Sequence, residues 1–101
     1  MSGTDQHVAR LFALLKATPM PPDDAEPDLV LSAFTAIAET REVILAELAG
    51  LAPMDRGDPR LLGHRDELVA RDRAWLDALG RALLVVEQRI AAGRRARGRA
   101  L

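Results

Sequence analysis

Residues 59–92 read PRLLGHRDELVARDRAWLDALGRALLVVEQRIAA, and this stretch decides the fold. Alternating spacings of 3 and 4 residues place side chains on one stripe of an α-helix. The pattern therefore predicts one long helix that packs along such a stripe. The stripe contains apolar residues and two charged ones: Leu62, Arg65, Val69, Asp72, Leu76, Leu79, Leu83, Val86 and Ile90.

A second stripe with the same spacing lies upstream, and it predicts a second helix. Residues 52–58 contain Pro53 and Gly57, which favour a turn. Asp58 followed by Pro59 is a favourable N-cap with proline at the first helical position. We therefore predict an antiparallel hairpin of two helices, at residues 26–51 and 59–92. The upstream stripe consists of Val30, Phe34, Ile37, Arg41, Ile44, Leu48 and Leu51.

Three further segments surround this hairpin. Residues 5–17 have apolar side chains at helical spacing and predict a short amphipathic helix. Residues 18–28 are rich in proline and acidic residues and predict a linker, and residues 93–101 begin with a glycine and predict a basic tail. The chain is thus expected to be a single all-α domain, a three-helix, bundle-like fold built on the long hairpin.

The residues that carry enzyme chemistry are scarce in this chain. There is no cysteine, so thiol catalysis and thiolate metal sites are excluded. His7 and His64 stand singly in different segments, without the helical ligand spacing of metal sites. No phosphate-binding loop, dinucleotide fingerprint or nucleophile elbow is present. We expect a protein that is not an enzyme and that carries no cofactor.

The pattern of apolar and charged residues also bears on location. No apolar run approaches the roughly 20 residues of a membrane span. The first residues lack the basic and apolar segments of a signal peptide, so we expect a cytoplasmic protein. Four arginines lie within residues 94–99, but no recognition motif or aromatic platform accompanies them, so we do not expect nucleic acid as a partner.

The long helix carries the candidate partner-binding surface. Residues 83–86 are four consecutive apolar residues, which point nearly all the way round a helix and require cover on more than one side. The helix at residues 5–17 is one possible cover, and a partner helix is the other. The candidate partner-binding residues are Leu76, Leu79, Leu83, Leu84, Val86 and Ile90.

Two charged residues of opposite sign fall at facing levels of the hairpin. Arg41 lies on the upstream stripe and Asp72 on the downstream one. We predict that the two side chains approach each other, or that Arg41 reaches a nearby glutamate. They form either a pair that fixes the register of the helices or a polar patch in a partner groove.

The chain from residue 29 to residue 99 resembles the small flagellar export chaperones of bacteria, the FliT/FlgN-like proteins. The resemblance rests on the run REVILAEL at residues 41–48, on the long helix opened by Asp-Pro, and on the closing AAGRRARG at residues 91–98. It implies a cytoplasmic chaperone that holds an amphipathic helix of an exported subunit. The alternative is a helical-hairpin interaction module that self-associates into a four-helix-bundle homodimer.

Overall fold

The fold consists of three helices, as predicted. The computed structural model describes residues 3–23 and 26–100, and these residues contain no strand. The helices are α1 (Gly3–Lys16), α2 (Pro27–Ala49) and α3 (Pro59–Ala100). The molecule is 69 Å long and 21 by 17 Å across. Asp24 and Ala25 of the predicted linker and Leu101 of the predicted tail lie outside the described residues.

Helix α1 packs against the half of the hairpin that lies nearer the turn. Near its start, Asp5 accepts a hydrogen bond from Arg60 at the beginning of α3, at 3.1 Å. Just beyond its end, the carbonyl oxygen of Thr18 accepts a hydrogen bond from Arg71, at 3.0 Å. α1 and α3 therefore run in the same direction, and α1 spans only about the first third of α3.

The start of α3 follows the predicted capping pattern. Asp58 Oδ1 accepts a hydrogen bond from the backbone amide of Arg60 at 2.9 Å, and Pro59 occupies the first helical position. The Arg60 guanidinium also donates to both carboxylate oxygens of Asp58. These hydrogen bonds hold the pKa of the Asp58 carboxyl below its ordinary value.

The start of α1 lies two residues earlier than predicted, and Thr4 contacts the loop between α2 and α3. The helix begins at Gly3 instead of residue 5, and the Thr4 hydroxyl accepts a hydrogen bond from the Asp55 amide in the turn, at 2.9 Å. A Cβ atom on Gly3 would lie 2.6 Å from the Pro53 carbonyl oxygen. This close approach requires glycine, and it ties the beginning of α1 to the turn.

The predicted end of α3 was wrong, and that of α2 was two residues late. α3 continues through Gly93 to Ala100, so the predicted basic tail is helical as far as that residue. Arginine and alanine are strong helix formers, and their propensity outweighs the cost of about 1 kcal/mol for a glycine. Basic residues in the last turn also complement the helix dipole. α2 ends at Ala49, where the Gly50 amide bonds to the Glu47 carbonyl.

The core pairs one large side chain with small ones. Trp75 is 3% exposed and packs in a buried cluster with Val30, Ala78 and Ala82. The small alanines allow the bulky indole to fill the space between the helices. Four further side chains are buried: Leu14 and Leu15 of α1, Thr18 just after it, and Leu61 of α3.

The most buried residues of α3 lie beside the stripe that the sequence predicted, although Leu79 of that stripe packs against the core. The core uses Leu61, Trp75 and Ala82, which are separated by multiples of seven residues. The predicted stripe lies one residue further along, about 100° around the helix. Two of its members, Leu76 and Leu83, are 68% and 59% exposed. The prediction weighted leucine above alanine, whereas close packing around tryptophan favours the alanine side.

Candidate binding groove between the long helices

The predicted stripe of α3 instead borders an open groove between α2 and α3, on the face turned away from α1. We call this surface the α2–α3 groove. It is mainly apolar and has two charged residues at its centre and a third on its rim. From α2 it is lined by Phe34, Ile37, Ala38, Arg41, Glu42 and Leu45, and from α3 by Asp72, Trp75, Leu76 and Leu79.

The groove is shallow and elongated. It contains two open depressions of about 370 and 200 Å³, which share Phe34, Ile37 and Arg41. Deep sites for small molecules enclose most of the ligand surface. A row of shallow depressions along two helices instead fits a row of side chains from another helix.

Leucine and isoleucine side chains extend the groove along α3. Leu76, Leu83 and Ile90 are spaced by seven residues and are 68%, 59% and 48% exposed. The first and last of these are about 21 Å apart at 1.5 Å per residue. Leu79 and Val86 lie between them and are partly buried. A contiguous apolar surface of this kind is typical of an interaction site.

Neither α1 nor the linker covers this surface. The linker follows the opposite side of the core, where the Trp75 indole nitrogen donates to the Pro19 carbonyl oxygen at 2.7 Å. Further along, Pro22 of the linker lines a depression together with Ala82 and Val85. The suggestion that the helix at residues 5–17 covers Leu83 is therefore wrong, because α1 and the linker pack elsewhere.

The structure separates the predicted partner-binding residues into two groups. Leu76 and Leu79 line the groove, and Leu83, Val86 and Ile90 continue the same stripe. Leu84 is 53% exposed but lies about 100° further around α3 than Leu83, so it does not belong to this surface.

The stripe predicted for α2 did not include all the α2 residues that line the groove. Phe34 was assigned to the seam of the hairpin, yet it is 38% exposed. Leu45 was not singled out, although it is 48% exposed and lines the groove. Leu45 follows Phe34 by eleven residues, about three helical turns, and this spacing was the available signal.

The predicted pair of Arg41 and Asp72 is present at the centre of the groove. Arg41 Nη1 lies 2.7 Å from Asp72 Oδ1, and Nη2 lies 3.3 Å from Oδ2. This two-pronged contact lets each side chain neutralise the charge of the other. Glu42 beside it is exposed and forms no ion pair with any other described residue.

The far end of α3 carries only positive charge. Arg97 lies seven residues after Ile90 and continues the apolar stripe, and Arg94 lies one turn after Ile90 beside it. Within residues 3–23 and 26–100 neither arginine has an ion-pair partner. α2 does not reach this level, because Glu26, the residue before it, pairs with Arg89 at 2.8 Å.

The described residues offer no metal site. No group of three or more His, Cys, Asp or Glu side chains among them is arranged to hold a metal ion. The His7 ring contacts the Gly3 carbonyl oxygen, and His64 stacks against Phe12 with ring centroids 5.6 Å apart. Both histidines thus have structural neighbours.

Neither the helices that the structure describes nor the comparisons with known proteins assign the chain to a family. In the part of the chain that the structure describes, no helix is long and apolar enough to cross a membrane. No protein-family model, curated protein or solved structure matches this sequence. The resemblance to flagellar export chaperones therefore stays a prediction.

Proposed function

We propose that this chain is a non-enzymatic binding protein whose α2–α3 groove receives the apolar face of an α-helix. The observation that carries the proposal is that α2 and α3 both present apolar side chains at helical spacing to solvent along this groove. Helical partners bind such grooves with side chains at positions i, i+3, i+4 and i+7. The 3-4 spacing of Leu76, Leu79 and Leu83 matches that mode.

The energetics favour an extended partner over a single anchor. Full burial of a leucine or phenylalanine side chain contributes about 1.5–3 kcal/mol, and these residues are already partly covered. Leu76, Leu83, Ile90 and Phe34 therefore supply about 1 kcal/mol each on binding. Association costs several kcal/mol of lost freedom, so a partner must contact the whole stripe.

A more specific form of this function is an export chaperone for a flagellar or type III subunit. The supporting observation is that the run at residues 41–48 supplies Arg41, Glu42 and Leu45 to the groove. A client helix would lie along this run and along Leu76 and Leu79. Genes adjacent to that of this chain would encode the client, and co-purification with that product tests this form.

The general proposal is tested with a fluorescent amphipathic probe peptide of about five helical turns that carries leucine at spacings of 3 and 4. We expect the probe to bind the wild type and to lose at least tenfold in affinity with Leu76→Asp. Val43→Asp is the matched control, because Val43 is 61% exposed on α2 and does not line the groove. Equal affinity of both variants for the probe would refute the proposal.

A further inference from the structure

We propose that the occupant of the α2–α3 groove is the α3 helix of a second copy of this chain, lying antiparallel about a two-fold axis near Leu83. The inference rests on the proposed function, since it requires that the groove receives a helix. It adds the identity and the direction of that helix. The groove and the stripe that would fill it belong to the same surface, as a symmetric dimer requires.

The distribution of charge along the groove carries the inference. On the turn side of Leu83, at the level of the Arg41–Asp72 pair, Glu42 lines the rim without an ion pair among the described residues. On the other side of Leu83, Arg97 continues the stripe and Arg94 flanks it, and neither forms an ion pair in the described part of the chain. The surface therefore carries an unpaired carboxylate on the turn side of Leu83, apolar side chains around Leu83, and unpaired arginines on the other side.

A surface with this polarity is complementary to itself in one orientation only. A two-fold axis at Leu83 pairs each residue before Leu83 in one copy with the residue equally far after Leu83 in the other copy. Asp72 and Arg94 are each 11 positions from Leu83, so Arg94 of one copy faces Asp72 of the other. Glu42 lies beside the Arg41–Asp72 contact, at that same level. Arg94 and Arg97 of each copy thus meet the unpaired carboxylate of Glu42 in the other.

The apolar residues match in the same arrangement. The axis at Leu83 brings the leucines at this position together, and Leu76 of one copy lies opposite Ile90 of the other. A parallel arrangement instead places Arg94 and Arg97 beside their own equivalents, which is unfavourable. Arg65, the other arginine on the stripe, is neutralised by Asp66 at 3.4 Å.

The length of α3 fits this arrangement. α3 extends beyond residue 89, the level at which Glu26 contacts it before α2 begins. The extension of about 11 residues is roughly 16 Å long at 1.5 Å per residue. In the antiparallel dimer this extension lies over the turn half of the partner's groove, where Leu45 is exposed.

The test is the solution mass of the full chain by sedimentation equilibrium, from micromolar to several hundred micromolar concentration. We expect a concentration-dependent dimer of twice 11.0 kDa. Glu42→Arg alone, or Arg94→Glu with Arg97→Glu, should each weaken the dimer about tenfold, because a like-charge contact of about 0.7 kcal/mol arises at both symmetric ends. The triple variant should restore the wild-type dissociation constant.

The possible outcomes separate this inference from the proposed function. A wild type that stays monomeric at several hundred micromolar, but binds the probe peptide in a Leu76-dependent way, would refute the second copy and leave the groove function intact. A monomer that also fails to bind the probe would refute both. A dimer whose charge reversals have no effect, or that the triple variant does not restore, would refute the antiparallel arrangement. Circular dichroism of each variant checks that the monomer fold is retained.

Discussion

Arg41 and Asp72 join α2 to α3 through two hydrogen bonds, of 2.7 and 3.3 Å, at the centre of the exposed groove. The Arg41 side chain is 22% exposed and that of Asp72 is 39% exposed. The pair therefore lies at the boundary between the core and solvent. Its position keeps an otherwise apolar surface locally neutral, and we expect the contact to favour this register of the hairpin.

Replacement of Asp72 with leucine should destabilise the monomer. The change leaves the Arg41 guanidinium partly buried without its carboxylate, and we expect a loss of about 0.5–1.5 kcal/mol after allowance for solvent screening. A loss of this size lowers Tm by several degrees in a domain of this length. Thermal melts of Asp72→Leu, of Arg41→Met and of the double variant measure it. An unchanged Tm in Asp72→Leu would show that the pair does not stabilise the hairpin.

Truncation of a buried α1 side chain should be far more costly than truncation of an exposed one. Leu14 is 2% exposed, so Leu14→Ala should reduce the free energy of unfolding by about 2–5 kcal/mol. Leu29→Ala is the control, because Leu29 is 63% exposed. Urea unfolding followed by circular dichroism compares the two. Similar losses would mean that α1 is not part of the core.

The capping contact at Asp58 should depend on pH. Its folded-state pKa is lowered from 3.8, chiefly by the side-chain hydrogen bonds from Arg60, so the carboxylate stabilises the fold above that pH. The contribution is lost as the pH falls through the lowered folded-state pKa. We therefore expect Asp58→Asn to melt below the wild type at pH 7. The two Tm values should converge as the pH falls below 3.8, and a constant difference would contradict the assignment.

The continuation of α3 through Gly93 can be tested with one substitution. Nothing lies within 4 Å of a Cβ atom at this position. Within a helix, Gly93→Ala should increase helix stability by up to about 1 kcal/mol. Circular dichroism should then show higher helicity. Lower helicity would indicate that the helix ends here, since an alanine is strained in the left-handed conformation that commonly follows a helix.

Periodicity and turn chemistry sufficed to predict the helices and their pairing. The 3-4 spacing in two segments, the Asp58-Pro59 start and the facing charges of Arg41 and Asp72 depend on local sequence and on the direction of the hairpin. Each of these features is present in the structure. Local sequence therefore specified the scaffold.

The position of α1 and the identity of the buried stripe were not predictable in the same way. Arg71 and Trp75 bond to carbonyl oxygens of Leu15, Thr18 and Pro19, more than fifty residues away in sequence. A pattern of residue types does not indicate which backbone carbonyl oxygens accept hydrogen bonds from distant side chains. Packing of Trp75 against small alanines buries the side of α3 that contains it. The leucine stripe beside it is largely exposed and forms the candidate binding surface.

Cysteine cross-linking at Leu83 and Leu84 tests the central claim most directly. The chain contains no cysteine, and the two adjacent leucines are similarly exposed, at 59% and 53%, on different sides of α3. We predict that Leu83→Cys forms a disulfide-linked dimer readily under mild oxidation, because the two thiols meet at the axis, whereas Leu84→Cys does so slowly. Equal cross-linking of the two variants, or faster cross-linking of Leu84→Cys, would contradict the assignment of the α2–α3 groove as the self-association surface.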